Sequence, residues 1–170
     1  MTSELPRRHR FSRLGVLAAI PMAAIALAGA AQADDDGYAA PVPLLPTYQQ
    51  ECGSCHTAYP PGMLPAASWK RLTSNLPNHF GTDASLDPKT LAELATWLDR
   101  HAGTYRKTQR EAAAPPEDRI TRAAWFQREH REVRAATWTS PAVKSASNCA
   151  ACHTQADQGD YSERHIRIPR

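Results

Sequence analysis

Cys52-Gly53-Ser54-Cys55-His56 and, near the other end of the chain, Cys149-Ala150-Ala151-Cys152-His153 repeat one pattern, Cys-x-x-Cys-His, and together they use all four cysteines of the 170 residues. The spacing has a chemical meaning. Two thiols add across the two vinyl groups of one protoporphyrin, and the adjoining imidazole then reaches the iron as its proximal ligand. Read this way, the pentapeptides mark two covalently attached c-type haems. Cys52, Cys55, Cys149 and Cys152 are the thioether sulfurs, and His56 and His153 are iron ligands.

Other readings of paired cysteines fit less well. A zinc site built from both Cys-x-x-Cys pairs leaves the two histidines unexplained. A thioredoxin-type dithiol needs a single pair, normally near a βαβ pattern, and no segment here alternates in polarity as a strand does.

The N-terminus points to the compartment where haem is attached. Arg7, Arg8, Arg10 and Arg13 precede an apolar stretch from Leu14 to Ala31, and Ala31-Gln32-Ala33 stands before Asp34. A basic n-region, an apolar h-region and an A-x-A site make residues 1–33 a secretory signal peptide, which implies an exported protein. The apolar run is close to the minimum for a membrane span, so retention as an anchor is the competing expectation; Pro21, Gly29 and the small residues before Asp34 favour cleavage. Arg7-Arg8 suggests a twin-arginine route, but that route carries folded cargo, whereas c-type cytochromes receive haem after export.

Cleavage takes four of the 20 basic and one of the 17 acidic residues and leaves 16 of each on a mature chain of 137 residues. The basic balance belongs to the leader. With haem propionates added, the mature protein is mildly acidic, which argues against nucleic-acid binding and against a basic membrane-binding face, and after cleavage nothing is left to insert stably in a membrane. One domain fits this length. With no disulfides and few large aliphatic residues, the chain uses its porphyrins as much of its core and folds poorly without them.

The segment 34–46 holds three acids and three prolines and reads as an extended leader onto a domain spanning 47–170. A short helix is expected from Thr47 to His56, then a proline-rich loop from Tyr59 to Pro65. Trp69, Leu72 and Leu76 give helical spacing over Ala66 to Leu76, with Pro77 as the stop and Asn78-His79-Phe80-Gly81 as a loop. Asp87-Pro88 starts the clearest helix, whose face of Leu91, Leu94, Ala95 and Leu98 ends before Gly103. Thr104 to Asp118, charged, alanine-rich and broken by Pro115-Pro116, reads as a surface connection. Thr121 to Arg134 reads as an amphipathic helix with Phe126, His130 and Val133 on one side, Ser140-Pro141 opens a last short helix carrying the second motif, and Tyr161 to Arg170 reads as coil. The fold class is mostly α: short helices and long loops wrapped around two haems.

Each iron needs a sixth ligand to become a low-spin electron carrier. Met1 and Met22 leave with the leader, and Met63 lies in a proline-rich loop only seven residues after His56, so it reads as an apolar loop residue. Histidine is the alternative. His79 follows a helix-ending proline beside Phe80 and Gly81, and His130 shares an apolar face, so these two are the distal candidates, with His165 in reserve. His101, at the end of the clearest helix, suits the helix dipole and reads as a surface residue. His79 follows His56 by 23 residues and His130 precedes His153 by 23, which favours the local pairs; a crossed arrangement stays open. Only 17 residues follow His153, so upstream chain must pack the second haem. The four tryptophans, Trp69, Trp97, Trp125 and Trp138, read as packing around porphyrin, and Arg119, Arg122 and Arg164 as a solvated face that also suits propionates.

The export leader, CGSCH followed by TAYPPGMLP (52–65), NHFGTDASLD (78–87), ITRAAWFQREHREV (120–133) and SNCAACH (147–153) resemble, in order and spacing and over nearly the whole mature chain, the small dihaem cytochrome c family of proteobacteria. The resemblance implies a periplasmic, mostly helical electron carrier with two bis-histidine low-spin haems. It supports His79 and His130 as distal ligands. It also implies redox partners, a membrane b-type cytochrome as donor and a small oxygen-binding c-type haem protein as acceptor. Such a protein is a carrier and not an enzyme. The alternative, a peroxidase- or reductase-like haem enzyme or a ligand sensor, requires one open iron site.

Overall fold

Proline sets where several of the turns and helices begin. The computed structural model describes residues 42–111 and 113–169; the expected signal peptide, 1–33, and most of the expected leader, 34–46, lie outside the described residues. Helix α1 (Pro46–Gly53) and helix α3 (Pro88–His101) both carry proline in the first turn, and the single 3₁₀ turns Pro61–Met63, Leu76–Asn78 and Pro116–Asp118 do the same. Proline suits this place because its φ is already helical and its missing N–H would have had no intrahelical partner. In α3 the Asp87 carboxylate adds a cap, accepting from Lys89 N at 3.0 Å and Thr90 N at 3.1 Å.

Helix α2 (Ala66–Thr73) packs on α3, and its Trp69 donates Nε1–H to the Pro61 carbonyl at 2.7 Å. Tyr48 of α1 does likewise from its hydroxyl to the Tyr59 carbonyl, also at 2.7 Å. Both rings are buried, so each polar end finds a backbone acceptor in the loop before α2. With Ala58, Leu64, Leu94 and Leu98 they form a first apolar cluster, edged by Cys52 and Trp97. A second cluster joins Met63, Tyr105, Ala123, Trp125, Phe126, Ala156 and Tyr161, edged by Tyr59, Trp138 and Cys149. Each cluster thus holds a cysteine of one motif at its edge. Met63 and Leu64, neighbours in the chain, enter different clusters, which ties the two together.

Past α3 the expected surface connection is largely at the surface but sends two side chains inward. It contains helix α4 (Arg106–Gln109), and Tyr105 and Thr108 are buried. The cause is Gly62: a Cβ there would lie 2.5 Å from Tyr105 Cδ1, so the glycine opens the space that the tyrosine ring fills. Helix α2 stops at Thr73, short of Leu76, where the Thr73 and Ser74 hydroxyls take up the carbonyls of Trp69 and Arg71, each at 2.9 Å.

The long helix expected from Thr121 to Arg134 is broken into a 3₁₀ turn Ile120–Arg122 and helix α5 (Ala124–Glu129), with turns after it; helix α6 (Ala135–Trp138) begins only beyond that span. Spacing alone does not distinguish a helix from a chain of turns when the segment is this short. No helix opens at Ser140-Pro141; a turn there buries Val143 completely, and Asn148 donates Nδ2–H to its carbonyl at 3.0 Å. The tail is more than coil: Thr154 N donates to the His165 carbonyl at 3.0 Å and Arg167 N to the Cys152 carbonyl at 2.8 Å, which folds it over the second motif. Among the described residues there are isolated bridges and no strands. No described helix is long and apolar enough to cross a membrane.

Candidate haem-binding site

Helix α1 delivers Cys52 in its last turn, half-buried against the first cluster, and the chain then unwinds so that Cys55 and His56 are exposed. His56 donates Nδ1–H to the Thr57 carbonyl at 2.8 Å, and its ring stacks on Tyr59 with centroids 4.9 Å apart and planes 17° apart. His79 sits at the start of a tight reversal in which His79 N donates to the Thr82 carbonyl at 2.8 Å and Thr82 N to the His79 carbonyl at 3.1 Å. The two residues at its tip, Phe80 at φ 52° and Gly81 at φ 92°, are both left-handed, as a two-residue reversal of this hand requires. Phe80 is 46% exposed and lies under the Arg119 guanidinium, 4.1 Å from the ring centre. The reversal brings the His79 ring to 6.2 Å from that of His56, with planes 20° apart.

The second motif forms a 3₁₀ turn, Cys149–Ala151, closed by His153 N donating to the Cys149 carbonyl at 2.8 Å. The His153 ring meets Tyr161 at 5.1 Å. His130 caps the C-terminus of α5, donates Nδ1–H to the Phe126 carbonyl at 2.9 Å and stacks on the Phe126 ring at 4.0 Å, 24° between planes. Trp138 lies beside both rings, 5.8 Å from His130 and 6.2 Å from Phe126. The His130 and His153 rings are again 6.2 Å apart, here with planes 70° apart.

These groups suit iron held between two imidazoles. Two metal–nitrogen bonds of about 2 Å, with half a ring on either side, separate ring centres by about 6 Å. In His56 and His130 the Nδ1–H is committed to a carbonyl, which fixes the tautomer and leaves Nε2 with its lone pair. The Nδ1 atoms of His79 and His153 are buried without a hydrogen-bond partner among the described residues. Burial lowers the pKa of His79, and the neighbouring His56 and Arg119 add to it; burial lowers His130 and His153 in the same way. All three are thereby biased to the neutral form that ligates metal.

The sulfurs agree. Burial pushes the Cys52 thiol up to about 11 and the Cys149 thiol to about 11. A thioether carries no charge, so surroundings that oppose a thiolate cost it nothing. No three His, Cys, Asp or Glu side chains converge on a metal position among the described residues, so the two cysteine pairs do not combine into a zinc site.

The remaining candidates are engaged elsewhere. Met63 is buried among the aromatic residues of the second cluster. His101 lies against Trp97 at 5.4 Å, and His165 donates Nδ1–H to Asp160 Oδ2 at 2.8 Å. Arg119 and Arg122 both pair with Glu117. Tyr59 and Tyr161, which flank the ligand candidates, escaped the sequence reading of the site, and only the position of Tyr59 just after the first motif could have singled one out; Phe126 is the residue that the apolar face of His130 already pointed to.

The dihaem cytochrome c family profile matches residues 48–161. A diheme cytochrome type c from Shewanella baltica OS155, solved by X-ray, shares 40% identity over 75% of this chain and 95% of its own, with a TM-score of 0.63. Diheme cytochrome c from Rhodobacter sphaeroides shares 38% identity over 69% of this chain and 96% of its own, also with a TM-score of 0.63. A crystal structure of the protein purified from the same organism gives 38%, 71%, 99% and 0.56. No curated protein matches the chain.

Proposed function

The chain belongs to the dihaem cytochrome c family, and from that premise we propose that it is a periplasmic electron carrier whose two irons are each held between two histidines, His56 with His79 and His153 with His130. The family carries two covalent c-type haems, and Cys52 with Cys55 and Cys149 with Cys152 are the cysteines that fit them. The observation that carries the ligand assignment is the pair of 6.2 Å separations between a motif histidine and a second histidine. Each bound haem supplies an iron that changes by one electron between its ferric and ferrous forms.

The chain's own residues hold that centre closed. The carbonyls of Thr57 and Phe126 fix two imidazoles, and the reversal at Phe80-Gly81 and the tail over the second motif present the other two. Four imidazoles for two irons leave no open coordination position, and that suits a carrier rather than an enzyme or a sensor. Freed of a signal peptide over 1–33, the corresponding mature unit is residues 34–170, an extended leader over 34–46 followed by the domain 47–170. Its partners are redox proteins; the sequence resemblance supports a membrane b-type cytochrome as donor and a small c-type haem protein as acceptor.

Separate His79→Ala and His130→Ala variants of the holoprotein test the reading. Each should turn one haem high-spin and able to bind carbon monoxide while the other stays low-spin. Two low-spin haems in both variants would overturn the assignment, and a wild-type haem that binds carbon monoxide readily would favour the enzyme or sensor.

A further inference from the structure

The two histidine pairs are alike in separation and unlike in orientation. The planes of His56 and His79 are 20° apart, those of His130 and His153 70° apart. Different neighbours hold them. Tyr59 stacks on His56 at 17°, and its hydroxyl donates to the Ser147 carbonyl at 2.7 Å. Phe126 stacks on His130 at 24°, its own carbonyl takes the Nδ1–H, and Trp138 flanks the imidazole. His130 is thus held in its plane from two directions.

We infer that the two haems are electronically inequivalent, the first between near-parallel and the second between near-perpendicular imidazoles, with Tyr59 and Phe126 as the positioning residues. The inference rests on the bis-histidine reading. An axial imidazole donates π density only perpendicular to its ring, into whichever iron d orbital lies in that direction. Parallel rings raise the same orbital and split the pair widely; perpendicular rings raise both and leave them nearly degenerate. Parallel rings also lift the highest filled orbital further, which eases oxidation. The second haem is therefore the one reduced first.

Low-temperature EPR of the oxidised holoprotein tests this. Two low-spin signals are expected: a rhombic three-line spectrum from the first haem and a single steep low-field feature from the second. On stepwise reduction the steep feature should disappear first. Phe126→Leu removes the stacked ring and keeps the backbone carbonyl, so it should displace only the steep feature; Tyr59→Leu should displace only the rhombic one. Two signals of the same type, loss of the rhombic signal first, or variants that leave both signals unmoved would overturn the inference with the ligation standing. A high-spin signal in the wild type would instead overturn the bis-histidine reading. If Phe126→Leu does not accumulate, the wild-type spectrum decides the orientation and Tyr59→Leu the positioning role.

Discussion

The Tyr59 hydroxyl donates to the Ser147 carbonyl at 2.7 Å while the Tyr59 ring lies on His56. A residue just after the first motif is thereby tied to the loop that enters the second. Tyr59→Phe keeps the stacked ring and removes the tie. Net loss of one neutral hydrogen bond costs about 1 kcal/mol. We expect that loss in chemical denaturation of the holoprotein, with the haem spectra unchanged; an altered spectrum would mean that the hydroxyl also sets the plane of His56.

A stricter constraint lies at Gly62. Its virtual Cβ is 2.5 Å from Tyr105 Cδ1, 2.6 Å from Thr104 Oγ1 and 2.9 Å from Tyr105 Cε1. The ring is buried and can move aside only by disturbing the second cluster. Gly62→Ala should destabilise by about 2 kcal/mol, in the range of core overpacking. A denaturation midpoint equal to the wild type would show that the ring repacks freely.

This contact also shows what the sequence could and could not convey. The cofactors were legible because thioether chemistry dictates a local spacing, and α3 was legible because Asp87-Pro88 and a regular apolar face act within one segment. His79 and His130 could be singled out by neighbours such as Phe80 and Phe126, and the structure brings both within reach of motif histidines. The helix bounds from 120 onward were not legible, because short turns around His130 and the second motif are fixed by contacts with distant chain. Tyr105 was hidden in the same way: its burial depends on a missing Cβ more than forty residues earlier.

Covalent attachment separates the two motifs experimentally. Replacing Cys149 and Cys152 together by alanine removes both sulfurs of one motif and leaves Cys52 and Cys55 intact. The denatured protein should then carry one haem, with haem-stained intensity falling to roughly half. Mass spectrometry under denaturing conditions counts the remaining group directly. Two haems on this variant would contradict the assignment of one haem to each motif.

Asp118 supplies a pH dependence far from either motif in the chain. Arg71 donates Nε–H to its Oδ2 at 2.9 Å and Nη2–H to its Oδ1 at 2.6 Å, and this pairing holds the carboxyl below the ordinary aspartate value in spite of partial burial. A depressed folded-state pKa means that the unfolded chain takes up the proton first on acidification. The stabilisation is therefore complete above an unfolded pKa of about 3.9 and is lost as the pH falls through the folded value. Asn is the informative replacement, because Glu117 and Asp118 adopt φ of 56° and 54° and asparagine tolerates that conformation where most residues do not. Asp118→Asn should melt below the wild type at pH 7, and the gap should close on acidification below about pH 4. A gap that persists unchanged in acid would assign the effect to packing of the turn and not to the ion pair.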